Sequence, residues 1–101
     1  MKTYYVYIIT NKNKTVLYIG FTNDLIIRLF QHKEACINHT ETFTANYQCH
    51  HLLYFEIFEN PLEGIEREKQ LKKWSRKKKE WLIEKENPTW KFLEQEWEEF
   101  Y

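Results

Sequence analysis

Near the N-terminus the run Tyr4-Tyr5-Val6-Tyr7-Ile8-Ile9-Thr10 is aromatic or β-branched throughout, the composition of a strand. The polar cluster Asn11-Lys12-Asn13-Lys14 then turns the chain, and Val16-Leu17-Tyr18-Ile19-Gly20 reads as a second strand. Together they predict an antiparallel hairpin. Alternate side chains of a strand share a face, so Tyr5, Tyr7 and Ile9 lie on one side of the first strand, and Val16, Tyr18 and Gly20 on one side of the second. A helix follows, with Thr22 or Asn23 as its cap and Asp24 at its positive end; Leu25, Ile26, Leu29 and Phe30 supply the expected buried face. Arg28 and His32 fall one turn apart along the edge of that face.

Residues Glu34 to Gln48 lack periodicity and read as a loop, and His51 to Phe58 as a third strand, apolar enough to take the central place in the sheet. Asn60-Pro61 starts a helix running to about Trp74, and Ser75 caps another that extends through Glu86 with Trp81, Leu82 and Ile83. After the break at Asn87-Pro88, Thr89 caps an expected last helix with Trp90, Leu93 and Trp97 on one side. The predicted order is β-β-α-β-α-α-α: an α+β fold in which a short three-stranded antiparallel sheet is flanked by helices.

The length of 101 residues supports one domain spanning 1–101, with a helical tail from about residue 87. A content of 43% hydrophobic and 18% aromatic residues argues against a disordered chain. No stretch approaches the ~20 apolar residues of a membrane span, and the N-terminus has no signal-peptide core, so the expected location is cytoplasmic, away from any membrane. Cys36 and Cys49 then read as free thiols. Equal numbers of basic and acidic residues conceal an uneven distribution: eight Lys/Arg stand against the single acid Glu68 between Arg67 and Lys79, whereas Glu predominates from Glu80 onward. A basic segment beside an acidic tail suits a polyanionic partner, and it also suits a solvated helix with ordinary charge pairs.

Three features break the local pattern. Glu68 falls inside the stripe formed by Leu62, Ile65, Leu71 and Trp74, where a carboxylate is costly unless paired, hydrogen-bonded or metal-bound. Arg28, beside His32, offers a planar fork of donors matched to phosphate oxygens. Tyr7 and Tyr18 face each other's strand. Each alone has an ordinary explanation as a border carboxylate, a surface arginine or packing tyrosines. Jointly, with no nucleophilic Ser or Cys setting, they suit hydrolysis at phosphorus: a carboxylate holds a divalent cation, a guanidinium neutralises developing charge, and a hydroxyl or imidazole handles a proton.

At these residues the sequence resembles the GIY-YIG nuclease superfamily, and is closest to its small stand-alone bacterial members. Tyr5-Val6-Tyr7 matches the first motif, with Tyr5 where Gly is usual, and Tyr18-Ile19-Gly20 matches the second in full. Arg28 and His32 fit the catalytic R-x-x-x-H helix, Glu68 in Glu68-Lys69-Gln70-Leu71-Lys72 fits the metal-binding glutamate, and Asn87 fits a late polar position. The resemblance implies a metal-dependent endonuclease that hydrolyses phosphodiester bonds in DNA, with structure-selective action on branched or damaged forms and with RNA left open. Glu68 would bind Mg²⁺ or Mn²⁺. Arg28 would hold the phosphate, Tyr7 or Tyr18 would orient or deprotonate water, and His32 would be a second proton handler. Lys72, Lys73, Arg76, Lys77, Lys78, Lys79 and Asn87 would contact nucleic acid without reading its sequence. Two other readings stand beside it: a catalytically inactive nucleic-acid-binding module, and an interaction domain working through Trp90, Trp97 and Phe100.

Overall fold

The computed structural model describes residues 2–97. Strand β1 (Tyr4–Thr10) pairs antiparallel with β2 (Leu17–Thr22) on one side and with β3 (His51–Phe58) on the other, giving the order β2-β1-β3. Helices α1 (Leu25–Ile37), α2 (Phe43–Asn46), α3 (Pro61–Lys72) and α4 (Arg76–Glu86) pack around this three-stranded sheet. The architecture is the expected α+β one, with two corrections to the sheet. The central strand is β1, not β3, and β2 starts and ends later than its apolar run. The edge of β3 is covered instead by the chain after α4: the Glu94 carboxylate accepts from the Leu52 amide at 2.7 Å and pairs with His51 Nδ1 at 2.7 Å. Glu94, with Asn87 donating to the Leu53 carbonyl, thus satisfies ladder groups at the start of this edge strand.

Each face of the sheet has its own apolar cluster. Val6, Ile8, Ile19, Leu53, Tyr54, Leu71, Leu82 and Ile83 pack on the face covered by α3 and α4. Tyr7, Ile9, Leu25, Leu29, Cys49 and Leu52 pack on the face covered by α1. The strand alternation inferred from the sequence holds: the register pairs Tyr7 with Gly20 and Ile9 with Tyr18. A register shift between Ile8 and Ile9 leaves Leu53 as an extra residue of β3, so that Leu53 and Tyr54, consecutive in the chain, both join the cluster under α3 and α4 while Leu52 joins the other.

Helix α1 differs from its prediction at both ends. Its cap is Asp24, whose Oδ1 accepts from the Ile27 amide at 3.1 Å, while Thr22 Oγ1 accepts from the Asp24 amide just before it. It runs on to Ile37 because its inward positions after Leu29 are His32 and Cys36, which carry no apolar signal. Ile26 and Phe30, expected inside, are 48% and 59% exposed. In the region expected to be loop, Thr42 caps the single turn α2, which buries Thr44 and Ala45.

On α3, Asn60 caps and Pro61 occupies the first turn as expected, but Leu62 is exposed; the helix approaches the sheet through Gly64, where a Cβ would meet the Phe21 ring at 2.6 Å. Helix α4 begins at the Ser75 cap as expected and buries Leu82 and Ile83, leaving Trp81 exposed. Among the described residues the expected final helix does not form. Trp90 adopts a φ of 55°, and the Asn87 side chain holds both the amide and the carbonyl of Lys91, drawing the backbone into a loop that ends in one 3₁₀ turn at Leu93–Glu96. Phe100 lies outside the described residues. Among the described residues no helix is long and apolar enough to cross a membrane.

Candidate active site

The site begins at the hairpin. The Tyr7 ring lies across Gly20 on the neighbouring strand, so closely that a Cβ at that position would fall on the phenol carbon and hydroxyl. Glycine at the end of Tyr18-Ile19-Gly20 thus lets the Tyr7 side chain cross the strand and reach α1. There its hydroxyl meets His32 Nε2 at 2.8 Å, and His32 Nδ1 meets Thr44 Oγ1 at 3.2 Å. The chain Tyr7–His32–Thr44 is buried, with Tyr7 1%, His32 3% and Thr44 6% exposed. Buried polar groups are tolerated when they satisfy one another, and this chain does so with either neutral imidazole tautomer.

Electrostatics follow from that burial. Desolvation holds the His32 imidazolium out, with the charge of Arg28 acting in the same direction, and the pKa falls to about 4. Desolvation likewise pushes the Tyr7 phenol up to about 12, although the adjacent Arg28 guanidinium works against it; Tyr18 and Glu68 add smaller upward pushes. At neutral pH the proton therefore rests on Tyr7 and His32 is uncharged.

The remaining predicted residues close around this pair. The Tyr18 ring stands edge-on to His32, with centroids 6.0 Å apart. Lys72 Nζ lies 5.9 Å above the Tyr18 ring and 3.4 Å from Glu68 Oε1, tying α3 to the hairpin. Arg28, one turn before His32, donates to Gln31 Oε1 at 3.1 Å, and its charge is felt by both Tyr7 and His32. Thus Tyr7, Tyr18, Arg28, His32 and Glu68, spread over two strands and two helices, form one neighbourhood.

The basic residues divide. Lys72 and Lys79 line a shallow cavity of about 230 Å³ with Leu17, Tyr18, Ile19 and Phe43, directly beside the site. Arg76 is committed elsewhere: it donates to the carbonyls of Lys14 and Thr15, each at 2.9 Å, and pairs with Glu80. Lys78 sits over the Trp74 ring at 4.2 Å, and Lys73 and Lys77 are exposed. Asn87 requires a correction. It is 3% exposed, and its amide donates to the carbonyls of Leu53 and Lys91 and accepts from the Lys91 amide, so it fastens the post-α4 chain to β3 and does not face a nucleic acid.

Two contributors were missed. Thr44 orients His32, and Phe43 with Tyr47 extends the aromatic surface from Tyr18. Their stretch has no period because α2 is a single turn, but Thr42 ahead of Phe43-Thr44-Ala45 is an N-cap signal that could have marked it.

Glu68 is the single carboxylate here, its side chain 20% exposed, and among the described residues no group of three or more His, Cys, Asp or Glu converges as a closed metal cage. One carboxylate beside open space is the donor set of a hard cation that keeps most of its waters and completes its shell with substrate phosphate. The residues present fit such a cation.

Comparison with known proteins gives the family. The chain is 39% identical over 79 residues to a UPF0213 protein of Clostridium perfringens, covering 78% of this chain and 81% of the relative. It is 37% identical over 68 residues to a UPF0213 protein of Bacillus pumilus, covering 67% and 66%. The solution NMR structure of a UPF0213 protein from Bacillus halodurans matches with a TM-score of 0.55 at 26% identity, over 87% of this chain and 89% of that one. With the GIY-YIG catalytic domain matched over residues 3–81, Tyr7, Tyr18, Arg28, His32 and Glu68 included, the chain belongs to the GIY-YIG family.

Proposed function

We propose that this protein is a divalent-metal-dependent endonuclease that hydrolyses phosphodiester bonds in DNA. The observation that carries the reading is the convergence of a phenol–imidazole pair, a second tyrosine, an arginine and a lone carboxylate beside a lysine-lined hollow. A Mg²⁺ or Mn²⁺ held by Glu68 would supply positive charge to the phosphoryl oxygens and acidify a water. Arg28 provides a two-pronged hold on the scissile phosphate. Tyr18, half-buried and open to the hollow, orients the attacking water, while Tyr7, almost fully buried, acts behind it. In the tautomer with Nε2 bare, the neutral His32 ring accepts the Tyr7 hydrogen bond and fixes the direction of the phenol, relaying a proton only in passing. Lys72 exchanges its partner Glu68 for a phosphate as substrate enters; at 49% side-chain exposure it has the freedom to do so.

The test is a nicking assay on linear, flapped, junction and single-stranded DNA with Mg²⁺ or Mn²⁺. Glu68→Gln and Arg28→Ala should each cut about 10²–10³-fold more slowly, the usual cost of removing one preorganised charge, with unchanged melting temperature because neither side chain is in the apolar core. If both variants cut at the parental rate, the activity comes from elsewhere. Salt-sensitive binding without cleavage under either metal would leave a binding module in its place.

A further inference from the structure

Helix α2 inverts the normal amphipathic arrangement. Its single turn buries Thr44 and Ala45, at 6% and 2% exposure, and turns its aromatic residues outward: Phe43 is 50% exposed, and Tyr47, the residue that ends the helix, 51%. Packing does not require this, since folding is favoured by burying such rings. Nor is the turn that carries the rings loosely held. Thr42 caps the turn through the Ala45 amide at 3.2 Å, the Cys49 amide bonds to the Thr44 carbonyl at 2.7 Å, and the Gln48 amide spans the Cys36 and Ala45 carbonyls. Thr44 is in addition anchored to His32.

The rings form a continuous path outward from the proposed site. Tyr18 and Phe43 have centroids 5.9 Å apart at 30°, and Phe43 and Tyr47 4.7 Å apart at 45°. The inner end of this path, Tyr18 and Phe43, shares its hollow with Lys72 and Lys79. Exposed aromatic faces with cations at one end are the chemistry that grips a nucleobase and its phosphate together. The nature of the base follows from geometry: inside a duplex both faces of a base are covered by its neighbours, so a protein ring can stack only on a base that is unpaired or turned out of the helix.

We infer that Phe43 and Tyr47 form a base-stacking subsite, so that the substrate carries an unpaired nucleotide next to the bond that is cut. The inference rests on the nuclease reading for the identity of the bond, but the stacking itself does not depend on cleavage. Thr44 then has two tasks: its hydroxyl orients His32, and its burial fixes the platform at a set distance from the reacting groups.

The experiment separates the two readings by measuring binding in EDTA, where no cleavage occurs. Oligonucleotides of equal length carry 2-aminopurine either unpaired, as a one-base bulge, or paired within a continuous duplex. The intact protein should bind the bulged form more tightly and quench its fluorescence. The double variant Phe43→Leu, Tyr47→Leu should lose roughly tenfold in affinity for the bulge per base stacked, with the same affinity for the duplex and the same salt slope, because no phosphate contact is removed. Phe43→Trp should retain the preference. Equal loss on both oligonucleotides, or none on either, overturns the subsite. Light scattering supplies the other overturning result: a dimer for the intact protein and a monomer for the double variant would make this face a contact between copies. Should the intact protein bind the bulge through these rings yet fail to cut any DNA with Mg²⁺ or Mn²⁺, the subsite stands and the nuclease reading falls.

Discussion

Tyr7 and Tyr54 sit on neighbouring strands, point to opposite faces of one sheet, and are buried to 1% and 8% exposure. Both have a raised pKa, chiefly through burial. Their partners set them apart. Tyr54 donates to Glu56 at 2.5 Å, a carboxylate already held by the Arg67 guanidinium at 2.8 and 2.9 Å; that negative charge pushes the phenol up further and locks its proton in place. Tyr7 meets the neutral ring of His32, and the neighbouring Arg28 pulls its pKa back down. Burial alone does not identify a site residue. Tyr7 differs in having a neutral partner that can accept its proton beside an arginine, whereas the closed Tyr54–Glu56–Arg67 network fastens β3 to α3.

This contrast is open to direct attack. The largest effect is expected from removing hydroxyls. Tyr18→Phe should lower the rate of DNA cleavage by about 10²–10⁴-fold, as loss of a proton-handling group does. Tyr7→Phe should lower it by about 10²-fold, as a misplaced catalytic geometry does. Tyr54→Phe should leave the rate per folded molecule within about twofold and act instead on stability, by ~1 kcal/mol. Single-turnover kinetics beside urea unfolding measures both quantities, and an inert Tyr7→Phe would dissolve the distinction between the faces.

The two glycines provide a second comparison. Gly20 lies under Tyr7, and Gly64 lies against the Phe21 ring on the other face. Gly20→Ala must displace the Tyr7 phenol, so cleavage should fall by about 10²-fold, the penalty for shifting reacting groups by about 1 Å. Gly64→Ala pushes α3 away from the sheet and should cost ~1–3 kcal/mol of stability through overpacking, with the metal dependence of cleavage kept. If the two variants exchange phenotypes, the assignment of roles to the faces is wrong.

The third comparison is in pH. His32 titrates near 6.5 when unfolded but at about 4 when folded. Above 6.5 neither state is protonated. Between 6.5 and 4 the unfolded chain takes up a proton that the folded chain refuses, so stability falls as pH falls, by at most about 3 kcal/mol. On the opposite face Glu56 is desolvated, yet hydrogen bonds from Arg67 and Tyr54 hold its pKa below 4.5; its contribution is complete above 4.5 and is lost only at lower pH. The faces should therefore weaken in successive windows. Urea midpoints at pH 7, 4.5 and 3 resolve them: His32→Gln should flatten mainly the first interval and Glu56→Gln the second. An unaltered slope in His32→Gln would mean that the imidazole is not held neutral.

Three strands, two long helices with their Asn60 and Ser75 caps, and the alternation that sends Tyr7 and Tyr18 to one face were legible in the chain, because local chemistry decides them: β-branched runs, polar caps and a period of two. The five residues proposed for the site could be named from their types and their match to the family motifs, and the fold brings them into one neighbourhood. Tertiary contacts decided the rest. Glu94 covering the β3 edge is 42 residues from its partner Leu52, so no local pattern could place β1 at the centre. Asn87 looks like any polar residue before proline until the Leu53 and Lys91 carbonyls claim its amide. His32 and Cys36 continue α1 inward without an apolar signal, and Phe43 and Tyr47 face water because the inner side of their turn is taken up by the Thr44 contact with His32. A sequence specifies what each residue can bond to. Which bond it makes depends on what the fold brings within reach.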